Sequence, residues 1–130
     1  MARNRMIKSE FFSDEKIGVL THTGRLLFIG MWIYADDSGV CKGNANFLKS
    51  SIFPYDYNLE VEEIEEELKN LKELDLIIEI IHNRQRYYLI QNFNKHQVIN
   101  KPSVYRHVPI EYIAEELSRH GYNPRDILIK

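Results

Sequence analysis

The sequence predicts a mainly α fold with a small β-hairpin, and three observations predict it. Val61, Ile64, Leu68, Leu71 and Leu74 recur at steps of three and four, which sets them on one stripe of an α-helix. The pattern then changes period. Leu76 to Ile81 is almost continuously apolar and mostly β-branched, Arg86 to Ile90 is again strand-forming, and His82-Asn83-Arg84-Gln85 between them is turn material. Finally, Arg25-Leu-Leu-Phe-Ile-Gly-Met-Trp-Ile-Tyr-Ala35 is apolar nearly all round, as a buried central helix must be. Short helices around one apolar helix, the last of them feeding a hairpin, compose a winged helix-turn-helix.

In chain order, Arg3, Arg5 and Lys8 form a short basic arm before Phe11-Phe12. Ser13 followed by Asp14-Glu15 starts a short helix running to about Leu20. Thr21 or Thr23 caps the central helix, in which Gly30 costs about 1 kcal/mol of helix propensity and marks the close approach of a neighbouring helix. Asp36-Asp37-Ser38-Gly39 is a turn and Val40-Cys41-Lys42 a short strand. Asn44 or Asn46 caps a helix through about Ile52, which Phe53-Pro54 stops. Asn58 is the expected cap of the long helix, with Glu60, Glu62 and Glu63 at the positive end of its dipole.

After the wing, the polar run Gln91 to Gln97 and the breaker Lys101-Pro102-Ser103 read as a surface linker. Pro109 then opens a last helix with the stripe Ile110, Ile113, Ala114 and Leu117, closed by Gly121. Ile127-Leu128-Ile129 is an orphan apolar patch. The expected organisation is a winged-helix domain with a basic arm over 1–100, and a linker, C-terminal helix and short tail over 101–130. A core closed by three helices and a hairpin leaves the last stripe nothing obvious to cover. Ile110, Ile113 and Leu117 are therefore the candidate self-association element, implying a homodimer, unless the helix docks on its own domain.

At 130 residues the chain has room for one modest core. No apolar run approaches the roughly 20 residues that span a bilayer, and the N-terminus lacks the apolar core of a signal peptide, so no membrane role and a cytoplasmic location are expected. Cys41 is the only cysteine, which excludes an intrachain disulfide and thiolate clusters. Charge is segregated. Residues 81–110 carry Arg84, Arg86, Lys95, Lys101 and Arg106 with no carboxylate, and 39–55 carry Lys42 and Lys49, also with none. The long helix instead presents Glu60, Glu62, Glu63, Glu65, Glu66 and Glu67.

Seven blocks stand out: Arg5-Met-Ile-Lys8, Phe11-Phe-Ser-Asp-Glu-Lys16, Arg25-Leu-Leu-Phe-Ile-Gly-Met-Trp32, Ala35-Asp-Asp-Ser-Gly39, Phe53-Pro-Tyr-Asp56, Gln91-Asn-Phe-Asn-Lys-His-Gln97 and Lys101-Pro-Ser103. Together they resemble the N-terminal domain of phage replisome organisers, replication-initiation proteins related to the DnaD-like helicase-loading family. The resemblance covers roughly the first hundred residues, with Ser9 where that family is expected to have proline. It implies a winged helix that binds origin-type duplex DNA without catalysis or cofactor, and contacts with replication partners such as a helicase or helicase loader.

Candidate DNA-binding residues follow from charge and chemistry. Arg84 and Arg86 flank the hairpin tip, where guanidinium suits phosphate or a minor groove. Lys95 and the arm residues Arg3 and Arg5 add phosphate contacts. Asn44 and Asn46 pair bidentately with adenine if their helix enters a groove, and Lys49 meets phosphate. The glutamate-rich helix is turned away from DNA, because phosphates repel it. Tyr87, Tyr88, Phe93 and Tyr105 are base-stacking candidates, although Tyr87 and Tyr88 point to opposite sheet faces. No Ser-His-Asp set, nucleotide-binding glycine loop or zinc spacing occurs, so neither enzyme nor metal site is expected. The competing class is a winged-helix assembly module, or a phage regulator, with little DNA affinity of its own.

Overall fold

A computed structural model describes residues 2–127. Leu128 and Ile129 of the orphan patch lie outside them. A 3-10 turn over Ser9–Ser13 precedes α1 (Glu15–Gly18), α2 (His22–Tyr34), β1 (Val40–Lys42), α3 (Ala45–Ile52), α4 (Val61–Glu73), β2 (Ile77–His82), β3 (Gln85–Ile90), α5 (Phe93–His96), α6 (Ile110–Arg119) and α7 (Pro124–Ile127). The fold is helix-rich with a small antiparallel sheet of three strands in the order β1-β3-β2.

The local chemistry matches most of the expected starts and stops. Asp14 accepts from the Lys16 and Ile17 amides, Thr21 caps α2 through the Gly24 amide, and Asn44 caps α3 through the Phe47 amide. The long helix begins two residues later than Asn58. Its cap is Glu60, whose side chain takes the Glu63 amide while Glu63 takes that of Glu60, a capping box that satisfies two free N–H groups at once. At its other end Leu76 N–H reaches Leu71 and Asp75 N–H reaches Lys72, with Asp75 at φ 59°. That Schellman turn drives the chain straight into β2. The hairpin turns on Asn83 and Arg84 alone, both at positive φ (50° and 64°), which is the mirror-image turn that fits strand twist.

The sheet is covered on both faces. On one, Cys41, Ile77, Tyr88 and Ile90 join Leu27, Met31, Leu48, Ile64, Leu68 and Leu71 in the main core. On the other, Val40, Ile78, Ile80, Tyr87 and Leu89 pack beneath Val108, Ile113 and Leu117. This corrects the premise of the self-association reading. Ile113 and Leu117 are 0% exposed and Ile110 sits at the rim, so the stripe is used on its own sheet. The reason is that β2 and β3 are apolar on both faces, and such strands need a cover on each side. Val108 and α6 are therefore packed on the sheet.

Two contacts lock α2 into the helical layer. Thr21 Oγ1 donates to Glu67 Oε2 at 2.7 Å, which makes Glu67 a buried tie between α2 and α4, whereas the sequence placed it on the solvated face. Gly30 lies under Ile52 of α3, the expected close approach: a Cβ there would fall 2.6–2.7 Å from three Ile52 side-chain carbons. Gly30→Ala should consequently destabilise by about 1–3 kcal/mol through overpacking, despite alanine's better helix propensity. A thermal midpoint equal to or above that of the parent would contradict this packing.

Candidate nucleic-acid interface

The two carboxylate-free windows of the sequence meet along the ladder between β1 and β3. β1 runs antiparallel to β3 with Lys42 opposite Tyr87, so its next residue, Gly43, lies beside Arg86. The Arg86 guanidinium donates to the Gly43 carbonyl from Nε at 2.9 Å and from Nη2 at 2.6 Å, and Gly43 N–H returns a bond to the Arg86 carbonyl at 2.8 Å. A Cβ at Gly43 would fall 2.9 Å from that carbonyl oxygen, so only glycine fits the join. The hairpin is thus tied to the start of α3. Lys42, Asn46 and Arg84 at the hairpin tip stand at the same end of the sheet.

Arg86 itself is occupied. Besides Gly43, its Nη2 meets Glu65 Oε2 at 2.9 Å, and its guanidinium lies 5.4 Å from the Tyr88 ring centroid. Burial works against the charge, but Glu65 outweighs it and holds the pKa above the ordinary arginine value. Arg84 is different. It is exposed and has no hydrogen-bond or ion-pair partner among the described residues. Lys42 is also exposed, its ammonium 5.6 Å from the Phe47 ring centroid.

On α3 the two asparagines part company. The Asn44 Oδ1 acceptor is engaged by the Phe47 amide at 3.0 Å, so it is not free to pair with adenine, whereas Asn46 is exposed. Asn46 and Lys49 line an open groove of about 510 Å3 with Ser50, Tyr57, Leu59, Glu60 and Val61.

Three other candidates lie elsewhere. Lys95 follows the far end of β3, and six residues of strand put roughly 17 Å between that end and the hairpin tip. Arg3 and Arg5 do not form a free arm. Arg3 Nη1 donates to Asp37 Oδ2 at 2.5 Å, while the Arg5 side chain, 5% exposed, bonds the Trp32 and Ala35 carbonyls at 2.9 Å and Asp37 Oδ1 at 3.2 Å. Burial presses the Arg5 pKa down, with Asp37 opposing.

The cluster that holds them was hidden in the sequence. Asp36 and Asp37, expected only as turn residues, are buried acceptors for distant segments. Asp37 Oδ2 also takes the Ser103 amide at 2.7 Å, and Asp36 takes the Val40 and His107 amides at 3.2 and 2.9 Å. Gln97 bonds Met6 in both directions, and Arg5 lies over the Phe93 ring. Five of the blocks that carry the family resemblance therefore converge on one structural knot. The only sequence signal was two adjacent aspartates in a turn that needs one.

The stacking candidates are largely internal: Tyr87, Tyr88 and Phe93 are buried, and of the four only Tyr105 is exposed. Cys41 is buried as expected of a structural thiol, and burial pushes it up to about 12. Among the described residues no helix is long and apolar enough to cross a membrane. Comparison of the chain with protein-family models, with curated proteins and with solved structures finds no match in any of the three.

Proposed function

We propose that the chain is a winged-helix DNA-binding protein of the phage replication-initiation type, docking duplex DNA with the wing end of its sheet. The element order α2, β1, α3, α4, β2, β3, with β1 closing on β3, supports the winged helix-turn-helix reading. The observation that carries the function is the join at Gly43, which gathers Lys42, Asn46 and Arg84 at one end, the two cations without a carboxylate partner among the described residues. Arg84 enters a minor groove or meets phosphate, Lys42 and Lys49 meet phosphate, and Asn46 reads a base edge. Lys95, Arg3 and Arg5 fall outside this site. Membership of the replisome-organiser type rests on the sequence blocks, as does recruitment of a helicase or helicase loader.

Amide shifts of the labelled chain on titration with a 16-base-pair duplex test the site. They should move over 42–50 and 83–85 and stay fixed along the exposed face of α4; movement along α4 alone, or none at saturation, sinks the proposal. One observation favours a second reading, an assembly module with little DNA affinity. The helix in the recognition position is acidic, and its Glu65 already neutralises Arg86.

A further inference from the structure

We propose that the loop between α3 and α4, with the first turn of α4, is a docking surface for an arginine-rich segment of a partner protein. The surface stands whether or not the wing end binds DNA. Tyr55 and Tyr57 are 81% and 80% exposed, two large rings held in water within three residues. The loop that carries them is built. Phe53 anchors it in the core, the Asp56 amide donates to the Phe53 carbonyl at 3.2 Å, and the Leu59 amide donates to that of Asp56 at 3.1 Å. Tyr57 forms one wall of the groove shared with Asn46 and Ser50, over the half-buried Leu59 and Val61. Rigid aromatic anchors beside small polar groups are the composition of a protein-binding surface.

Charge selects the partner. From Ser50 to Leu68 the sequence has seven carboxylates and no cation. Glu65 is paired with Arg86 and Glu67 is bonded to Thr21, which leaves Asp56, Glu60, Glu62, Glu63 and Glu66 exposed without an ion pair among the described residues. Glu60 and Glu63 are also fixed in place by their capping-box bonds. Lys49 is the one cation lining the groove, on its α3 side. Nucleic acid is repelled by such a surface. Guanidinium fits it in two ways, stacking on a tyrosine face and pairing bidentately with a carboxylate, which ammonium does less well.

The test uses the full chain and two fluorescent peptides of equal charge, one alternating arginine and glycine around a central leucine, the other with lysine for arginine. The arginine peptide should bind about tenfold more tightly. That advantage should vanish in Tyr55→Ala/Tyr57→Ala and return in Tyr55→Phe/Tyr57→Phe. Equal affinities for the two peptides, or an advantage that survives the alanine pair, would reduce the surface to bulk charge attraction and overturn the proposal. So would single-stranded DNA that binds the parent chain and is lost with the tyrosines. Amide shifts of the parent chain need no variant: with the arginine peptide they should cluster over 53–63, and a cluster elsewhere also overturns it.

Discussion

A chain ending at Ser103 should fail to fold. Removing the remainder strips Val108, Ile113 and Leu117, each 0% exposed, from the outer face of the sheet and bares Val40, Ile78, Ile80, Tyr87 and Leu89. Burial of three such side chains is worth roughly 5–8 kcal/mol, comparable with the whole stability of an ordinary domain. Far-ultraviolet circular dichroism and urea unfolding of the shortened chain read the result. Loss of cooperative unfolding, or aggregation through the bared sheet, is expected, and Leu117→Ala alone should cost about 2–5 kcal/mol. A shortened chain that unfolds at the parent's urea midpoint would show that α6 contributes nothing to the fold.

Asp37→Ala should be nearly as damaging, by about 3–5 kcal/mol, because it leaves the buried Arg5 guanidinium without its carboxylate. Asp37 also sets an acid limit. Burial works against its charge, but the Ser103 amide, Arg5 and Arg3 outweigh burial and hold its pKa below the usual carboxylate value. A carboxyl with a depressed folded pKa contributes its full stability above the unfolded value of about 3.9, and that contribution is lost as the pH falls through the folded value. Asp37→Asn should therefore be less stable at neutral pH and lose less than the parent on acidification below about pH 4. Parallel pH profiles for the two chains would remove Asp37 from the acid limit.

Local signals made most of the fold legible. Periodicity located α4 and the hairpin, and short side-chain caps located α1, α2 and α3, because those interactions reach only three or four residues along the chain. The cap of α4 was misplaced because Asn58 is the better cap by residue type, whereas Glu60 works only together with Glu63. The fate of α6 was written in Leu76 to Ile81, whose apolar residues fall on both faces of the strand and so already required a second cover. Nothing local could tell a cover in the same chain from one in a second copy. The candidate site was legible in charge but not in pairing. The salt bridges Arg5–Asp37 and Arg86–Glu65 join residues 32 and 21 apart in sequence, and no spacing rule connects them. They separate Arg84, which is exposed, from Arg86, which is structural, although the two differ by two positions and by nothing in chemistry.

Duplex docking at the wing end is tested most directly by the salt dependence of binding, measured by anisotropy for the parent chain and for Lys42→Ala/Arg84→Ala. Both side chains are exposed and neither has an ion-pair partner among the described residues, so the double variant should keep its thermal midpoint. Each phosphate-neutralising cation removed lowers the slope of log affinity against log salt by about 0.9, so the variant should bind more weakly with a slope shallower by about 1.8. An affinity and slope identical to the parent's, or no salt-dependent duplex binding by either chain, would contradict the account.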